Sequence, residues 1–359
     1  MSSARCCALS MNDPMTWSEA FAALNTFTAS HDDIRVTPQS LRIPKTYREK
    51  FYTLVDSAAF ILAGELVGER LAEITVLAEK LSAVRDQICK GSNLRAYRLP
   101  ASLENLIVSP EKTVSQPLFS LMLDGLQNSL SPAEVQDRAA QLILPAINDL
   151  QRCAYEAWAY LGILEAWKPV RFYGIVTADF AKLTVTETDE VIMGYQYTSP
   201  DKRLPETVFE TADGKTIAVK TEVGLELDYY GEKVSRDKGY SSGGNTVDEL
   251  AHRVLLAYRF PSPQELGIIA DAERNFVRPT DLMCSFLLPR EMENKYLFSS
   301  FVRHLRMVRS LRPVQILSFD KRGSFPDGAE QDPLVPKWER TAVGYDEGML
   351  REIASKLNT

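Results

Sequence analysis

The chain has 359 residues, of which 45% are hydrophobic and 25% charged. That length suggests two domains, and that composition excludes a disordered, collagen-like or purely coiled-coil protein. The net charge of −7 argues against a strongly basic nucleic-acid or membrane-surface binder.

Residues 1–14 read as a disordered leader, with Met11 as an alternative start. Residues 15–28 form an amphipathic helix with Trp17, Phe21, Leu24 and Phe27 on one side. A long helix follows over residues 44–90. Its apolar seam is Val67, Leu71, Ile74, Leu77, Leu81, Val84 and Ile88, and Gly91 provides a stop. Gly64 and Gly68 weaken this helix and mark a close crossing or a break. Residues 117–127 read as a shorter helix. Ser131-Pro132-Ala133-Glu134 is a capping box, flanked by Leu130 and Val135 as a hydrophobic staple. The helix it opens runs to about Trp167. Its periodic set is Ala139, Leu142, Ala146, Leu150, Cys153, Ala157, Leu161 and Leu164, and Pro145 should kink it. Long helices joined by modest loops imply an antiparallel bundle over residues 15–168.

The pattern changes at Pro169. Residues 171–177, 183–188 and 191–197 are rich in β-branched and aromatic side chains and read as strands. Asp213-Gly214 between residues 207–212 and 215–223 is a hairpin signal. From Ile217 to Leu227 the alternation gives one buried and one wet face. Residues 239–245 read as a loop. A second capping box at Thr246 opens a helix to about Tyr258. Residues 282–288 and 314–319 read as buried strands, 289–311 and 347–357 as helices, and 321–336 as a loop. The expected architecture is therefore α+β: a helical bundle, then an α+β domain over residues 169–359 with an antiparallel or mixed sheet. The acidic surplus is spread over both parts, −3 through Lys168 and −4 beyond it.

Chemistry-bearing residues are sparse. The three histidines, His31, His252 and His304, lie far apart, which disfavours a histidine metal centre. The five cysteines include no CxxC pair, so neither a disulfide framework nor a zinc site is indicated and a reducing cytoplasm is the simplest location. The longest apolar run, residues 58–64, is much shorter than a membrane span, so no membrane association is expected.

Gly239-Tyr240-Ser241-Ser242-Gly243 matches the G-x-S-x-G nucleophile elbow. The preceding segment is polar and the next helix starts several residues later, so a flexible loop is the simpler reading. Gly243 and Gly244 precede a helix N-terminus, where backbone amides suit an anion. Asp281 with Glu293-Asn294-Lys295 resembles the acid and acid-x-lysine spacing of Mg²⁺-dependent nucleases. There two carboxylates hold the metal and the lysine orients water. Such a triplet belongs on a strand, whereas Pro289 and its following acids read as a helix start. Glu222, Glu226 and Asp228 would line the wet strand face, as a cation site or more simply as solvated charge. Arg303, Arg306, Arg309 and Arg312 are three apart and drift around a helix; Arg303 and Arg306 are the candidate anion contacts. Tyr155, Trp158, Tyr160 and Trp167 read as core packing or an interface anchor.

The preferred function is a non-enzymatic interaction or assembly protein that uses the long helical seams, with a protein partner or self-association and no cofactor. The alternative is a Mg²⁺-dependent nuclease or phosphodiesterase using Asp281, Glu293 and Lys295, which allows a nucleic-acid substrate.

Overall fold

The computed structural model describes residues 15–179, 182–193, 205, 207–222, 254–266, 279–287, 292–293, 310–320, 322 and 337–357. Helix α1 (Trp17–Ala29) starts at a reciprocal cap. The Thr16 hydroxyl accepts the Glu19 N–H at 3.3 Å, and the Glu19 carboxylate accepts the Thr16 N–H at 2.8 Å. Its buried face is Trp17, Ala20, Phe21, Leu24 and Phe27. A short hairpin, β1 (Arg35–Thr37) and β2 (Ser40–Arg42), precedes helix α2 (Lys45–Gly91). Each strand is three residues long with one apolar residue, too short for its alternation to be legible in the sequence.

Helix α2 breaks where its glycines weaken it: Val67 has φ −145° and ψ 25°, outside the helical region. A Cβ added to Gly64 or Gly68 would meet nothing within 4 Å, so neither glycine serves a close crossing. Beyond the break, Ile74, Leu77 and Leu81 are fully buried, and Val84 and Ile88 nearly so. The seam is thus spent inside the chain.

Strand β3 (Ala96–Arg98) and helices α3 (Ala101–Val108), α4 (Pro110–Gln127) and α5 (Pro132–Ala166) follow. The Ser131 capping box is formed: Glu134 accepts the Ser131 N–H at 2.8 Å, and the Ser131 hydroxyl faces the Glu134 N–H at 3.4 Å. Ser131→Ala is expected to lower stability by about 1 kcal/mol in chemical denaturation; an unchanged midpoint would contradict a stabilising cap. Helix α4 runs antiparallel to α5, with Arg138 on Asp124 at 3.1 Å and the Leu130 N–H on the Gly125 carbonyl. Helices α2 and α5 run in the same direction. Arg70 donates to Asn148 at 2.8 Å and Gln151 to Glu73 at 3.1 Å. The bundle is therefore antiparallel between α4 and α5 and parallel between its two longest helices.

Strands β4 (Pro169–Asp179), β5 (Lys182–Glu187), β6 (Glu190–Ile192), β7 (Thr207–Thr211), β8 (Thr216–Glu222), β9 (Val254–Phe260), β10 (Leu282–Phe286), β11 (Val314–Ser318) and β12 (Trp338–Ala342) lead to helix α6 (Glu347–Ser355). Eight of them form a mixed sheet in the order β12-β11-β10-β9-β8-β7-β4-β5. It is antiparallel from β5 to β10 and parallel from β10 to β12. Strands β3 and β6 pair separately in parallel. The Asp213-Gly214 hairpin forms, with Gly214 at φ +78°, a conformation that glycine adopts without a Cβ penalty.

Two expectations are corrected here. Residues 254–258, read as the end of a helix, belong to strand β9. Val254-Leu255-Leu256-Ala257-Tyr258 is a continuous apolar run, which a central strand covered on both faces shares with a buried helix. In the part of β8 whose side chains are described, the wet face is absent: Thr216, Ile217, Ala218, Val219 and Lys220 are all buried, so both faces are covered there.

The chain switches from helix to strand at Pro169, but its compact units divide elsewhere. One comprises residues 1–76 and 108–151, and the other residues 77–107 and 152–359. Each long helix therefore contributes to both units. In the second unit, Trp167 stacks on Phe209 at 6.0 Å and donates its indole N–H to the Ala354 carbonyl at 2.9 Å. Helix α6 seats on α5 at Gly162, where a Cβ would lie 2.4 Å from Leu350 Cδ1. Lys356 then ties the end of α6 to Gln315 of β11 at 2.7 Å.

Candidate interaction surface

Within the first unit, α5 buries one residue per turn: Val135, Ala139, Ile143 and Ile147. Ala140, Ala146 and Leu150 are partly covered, and Leu142 and Leu144 face outward at 48% and 40% exposure. Within the second unit the same helix is buried all round, with every residue from Glu156 to Leu164 inside. The sequence pattern assigned Leu142 to the buried set. The structure reverses this, since Leu142-Ile143-Leu144 offers three adjacent apolar side chains and Ile143 is the one turned inward.

Helix α2 shows a similar outward flank in the first unit. Tyr52 and Phe60 are about two-fifths exposed, and Tyr52 stacks on Phe119 with ring centroids 6.0 Å apart. Single exposed apolar residues are ordinary; the pair Leu142 and Leu144, two residues apart on α5, is the local concentration here. Among the described residues, α2 is also the one helix long and apolar enough to cross a membrane by length and composition. Its window has a mean hydropathy of 1.4, and 39% of that window is buried.

The second unit offers a different feature. The three parallel strands end on the same edge, the usual location of ligand sites in open α/β sheets. Here that edge is filled by rings. Tyr155 of α5 lies 6.1 Å from Phe286, 5.4 Å from Phe319 and 6.1 Å from Tyr345, and Trp158 lies 5.8 Å from Tyr345. The Tyr155 hydroxyl donates to the Gly344 carbonyl at 2.9 Å, and burial pushes its pKa well above the ordinary tyrosine value. It is a protonated packing group, not a proton-transfer group. Beside it on α5, Arg152 and Glu156 form an ion pair at 2.8 Å with side chains 8% and 1% exposed. Cys284 of β10 is wholly buried, and desolvation raises its thiol pKa to about 12, which removes it as a nucleophile.

Of the residues proposed for metal chemistry, Asp281 and Glu293 lie among the described residues. Asp281 lies at the amino end of β10, where its carboxylate accepts the Arg259 N–H at 2.8 Å and approaches the Arg259 guanidinium at 3.8 Å. Glu293 follows the carboxyl end of that strand and is exposed in a helical turn with buried Met292. It does not have the strand context that an acid-x-lysine site requires. Lys295, Gly243, Gly244, Arg303 and Arg306 lie outside the described residues, as do the Gly239–Gly243 elbow, Glu226, Asp228, His252 and His304. Glu222 contributes backbone pairing with Val254. His31 is packed between Phe27 and Tyr47, with ring centroids 4.5 and 4.4 Å away. Among the described residues no group of three or more His, Cys, Asp or Glu side chains is placed to hold a metal ion.

No protein-family model, curated protein or solved structure matches the chain.

Proposed function

We propose that the protein is a cytoplasmic, non-enzymatic interaction or assembly protein that works through the outward faces of its helical unit. The observation that carries this reading is the one-sided burial of α5. A helix buried along a single line, with Leu142 and Leu144 left outside, has apolar area to give to a partner. The seam from Ile74 to Ile88 is not that area, because the chain's own core takes it up. The reading requires no cofactor and no membrane.

Self-association is the form tested first. Light scattering coupled to gel filtration should show a mass above 40.3 kDa that grows with concentration. Leu142→Asp with Leu144→Asp should return the chain to monomer without loss of helical circular dichroism. These sites are already half in water, so two charges there cost little in the folded monomer but are expelled from an apolar contact. A wild-type mass that stays monomeric up to high concentration would overturn the assembly reading.

A further inference from the structure

The break in α2 and the proline inside α5 stand at the same height, although α5 stays helical through Pro145. The pairs Arg70–Asn148 and Glu73–Gln151 each join residues 78 apart in sequence, which fixes the register of α2 against α5. In that register the break in α2, at Val67, stands beside Pro145 of α5, which is also 78 residues away. Proline has no N–H, so the Gln141 carbonyl gains no helical hydrogen bond from it. Val67 leaves the helical region, and Gly64 and Gly68 on either side sit in open space, where no packing demands a glycine.

Ties flank this level on both sides. Toward the N-terminal ends of the helices, Trp17 joins them through α1: its N–H donates to Glu65 of α2 at 2.8 Å, and its indole faces Gln136 of α5 at 3.4 Å. Beyond the level, the Arg70 and Glu73 pairs lock α2 to α5 directly. Between the ties, α5 contributes the buried residues Ile143 and Ile147 around Pro145, and α2 contributes Leu62, Ala63 and Val67. One weak point in a pair of helices is splinted by its continuous neighbour. Two at one height let both helices bend without either sliding.

We propose that the level of Val67 and Pro145 is a concerted hinge of the helical unit, at which α2 and α5 bend together. The inference does not depend on which partner the unit binds.

Hydrogen exchange read by mass spectrometry on the full chain tests it. In the wild type, amides 67–71 and 146–149 should exchange faster than amides 77–88 of the same helix pair. Pro145→Ala restores the missing bond in α5 and should slow exchange at 146–149. It should also slow exchange at 67–71 of the unmutated helix, by about fivefold, a transmitted part of the larger proline effect on α5 itself. Gly68→Ala, at an exposed position, gives the reciprocal reading at 146–149 should the proline variant fail to fold. A change confined to the mutated helix would overturn the hinge, as would wild-type protection at both segments equal to that of 77–88.

Discussion

Glu156→Ala is expected to lower stability by about 3–5 kcal/mol. The Arg152–Glu156 pair sits one turn apart on α5 with both side chains almost wholly buried. An exposed pair at this spacing contributes about 0.3–0.5 kcal/mol. A buried one differs because its charges have already lost their hydration. Deleting the carboxylate leaves the guanidinium in a site with little water to replace that partner. Replacing both residues with apolar ones of similar volume removes the desolvation problem and should restore most of the loss. Urea denaturation of the single and double variants makes the comparison. A single-variant cost below about 1 kcal/mol would mean that the Arg152 charge is compensated by groups other than Glu156.

Trp158→Ala is the other large expected effect, about 3–5 kcal/mol from lost burial and the cavity left behind. Trp158 is 1% exposed and touches Tyr155, with centroids 5.6 Å apart, and Tyr345, at 5.8 Å. It also borders the contact of α5 with Leu350 of α6. Alanine would therefore loosen the rings that close the parallel edge of the sheet as well as the seat of the last helix. Trp158→Phe keeps most of the apolar volume and should cost markedly less. An alanine variant with an unchanged midpoint would show that this corner collapses without penalty.

Much of the fold was legible, and the reasons are local. The Ser131 cap, the Asp213-Gly214 turn and the seam Ile74–Leu77–Leu81 each state their structure within a few residues. Strand β9 was missed because an all-apolar run carries no period to choose between helix and strand. Strand β12, Trp338-Glu339-Arg340-Thr341-Ala342, was missed for the opposite reason: it is a polar edge strand and resembles the loop before it. The division into units was hidden because helix propensity runs on unbroken through positions where a helix passes from one core to another.

The candidate surface was less legible than the fold. Leu142, Ile143 and Leu144 fit a helix in any of three phases, and only the packing of α4 and α5 selects Ile143 as the inward one. The i,i+4 spacing of Arg152 and Glu156 does not report that both side chains are buried. Asp281 drew attention as an acid, and its partner proved to be a neighbouring strand's backbone.

The mixed sheet also has a history implied by its connections. Strands β4 with β5 and β7 with β8 pair antiparallel and are separated by only a few residues in sequence, so each pair is local. The parallel strands β11 and β12 must each await a long crossover before they find their places. During that wait β10 is the growing margin, and its residues Leu282, Met283, Cys284, Ser285 and Phe286 are all destined for the interior. A chain paused there would offer an apolar, unpaired strand to any neighbouring molecule. The most hazardous moment in the life of this protein is therefore set by the order in which its strands arrive, before the final strand, polar and short, seals the margin.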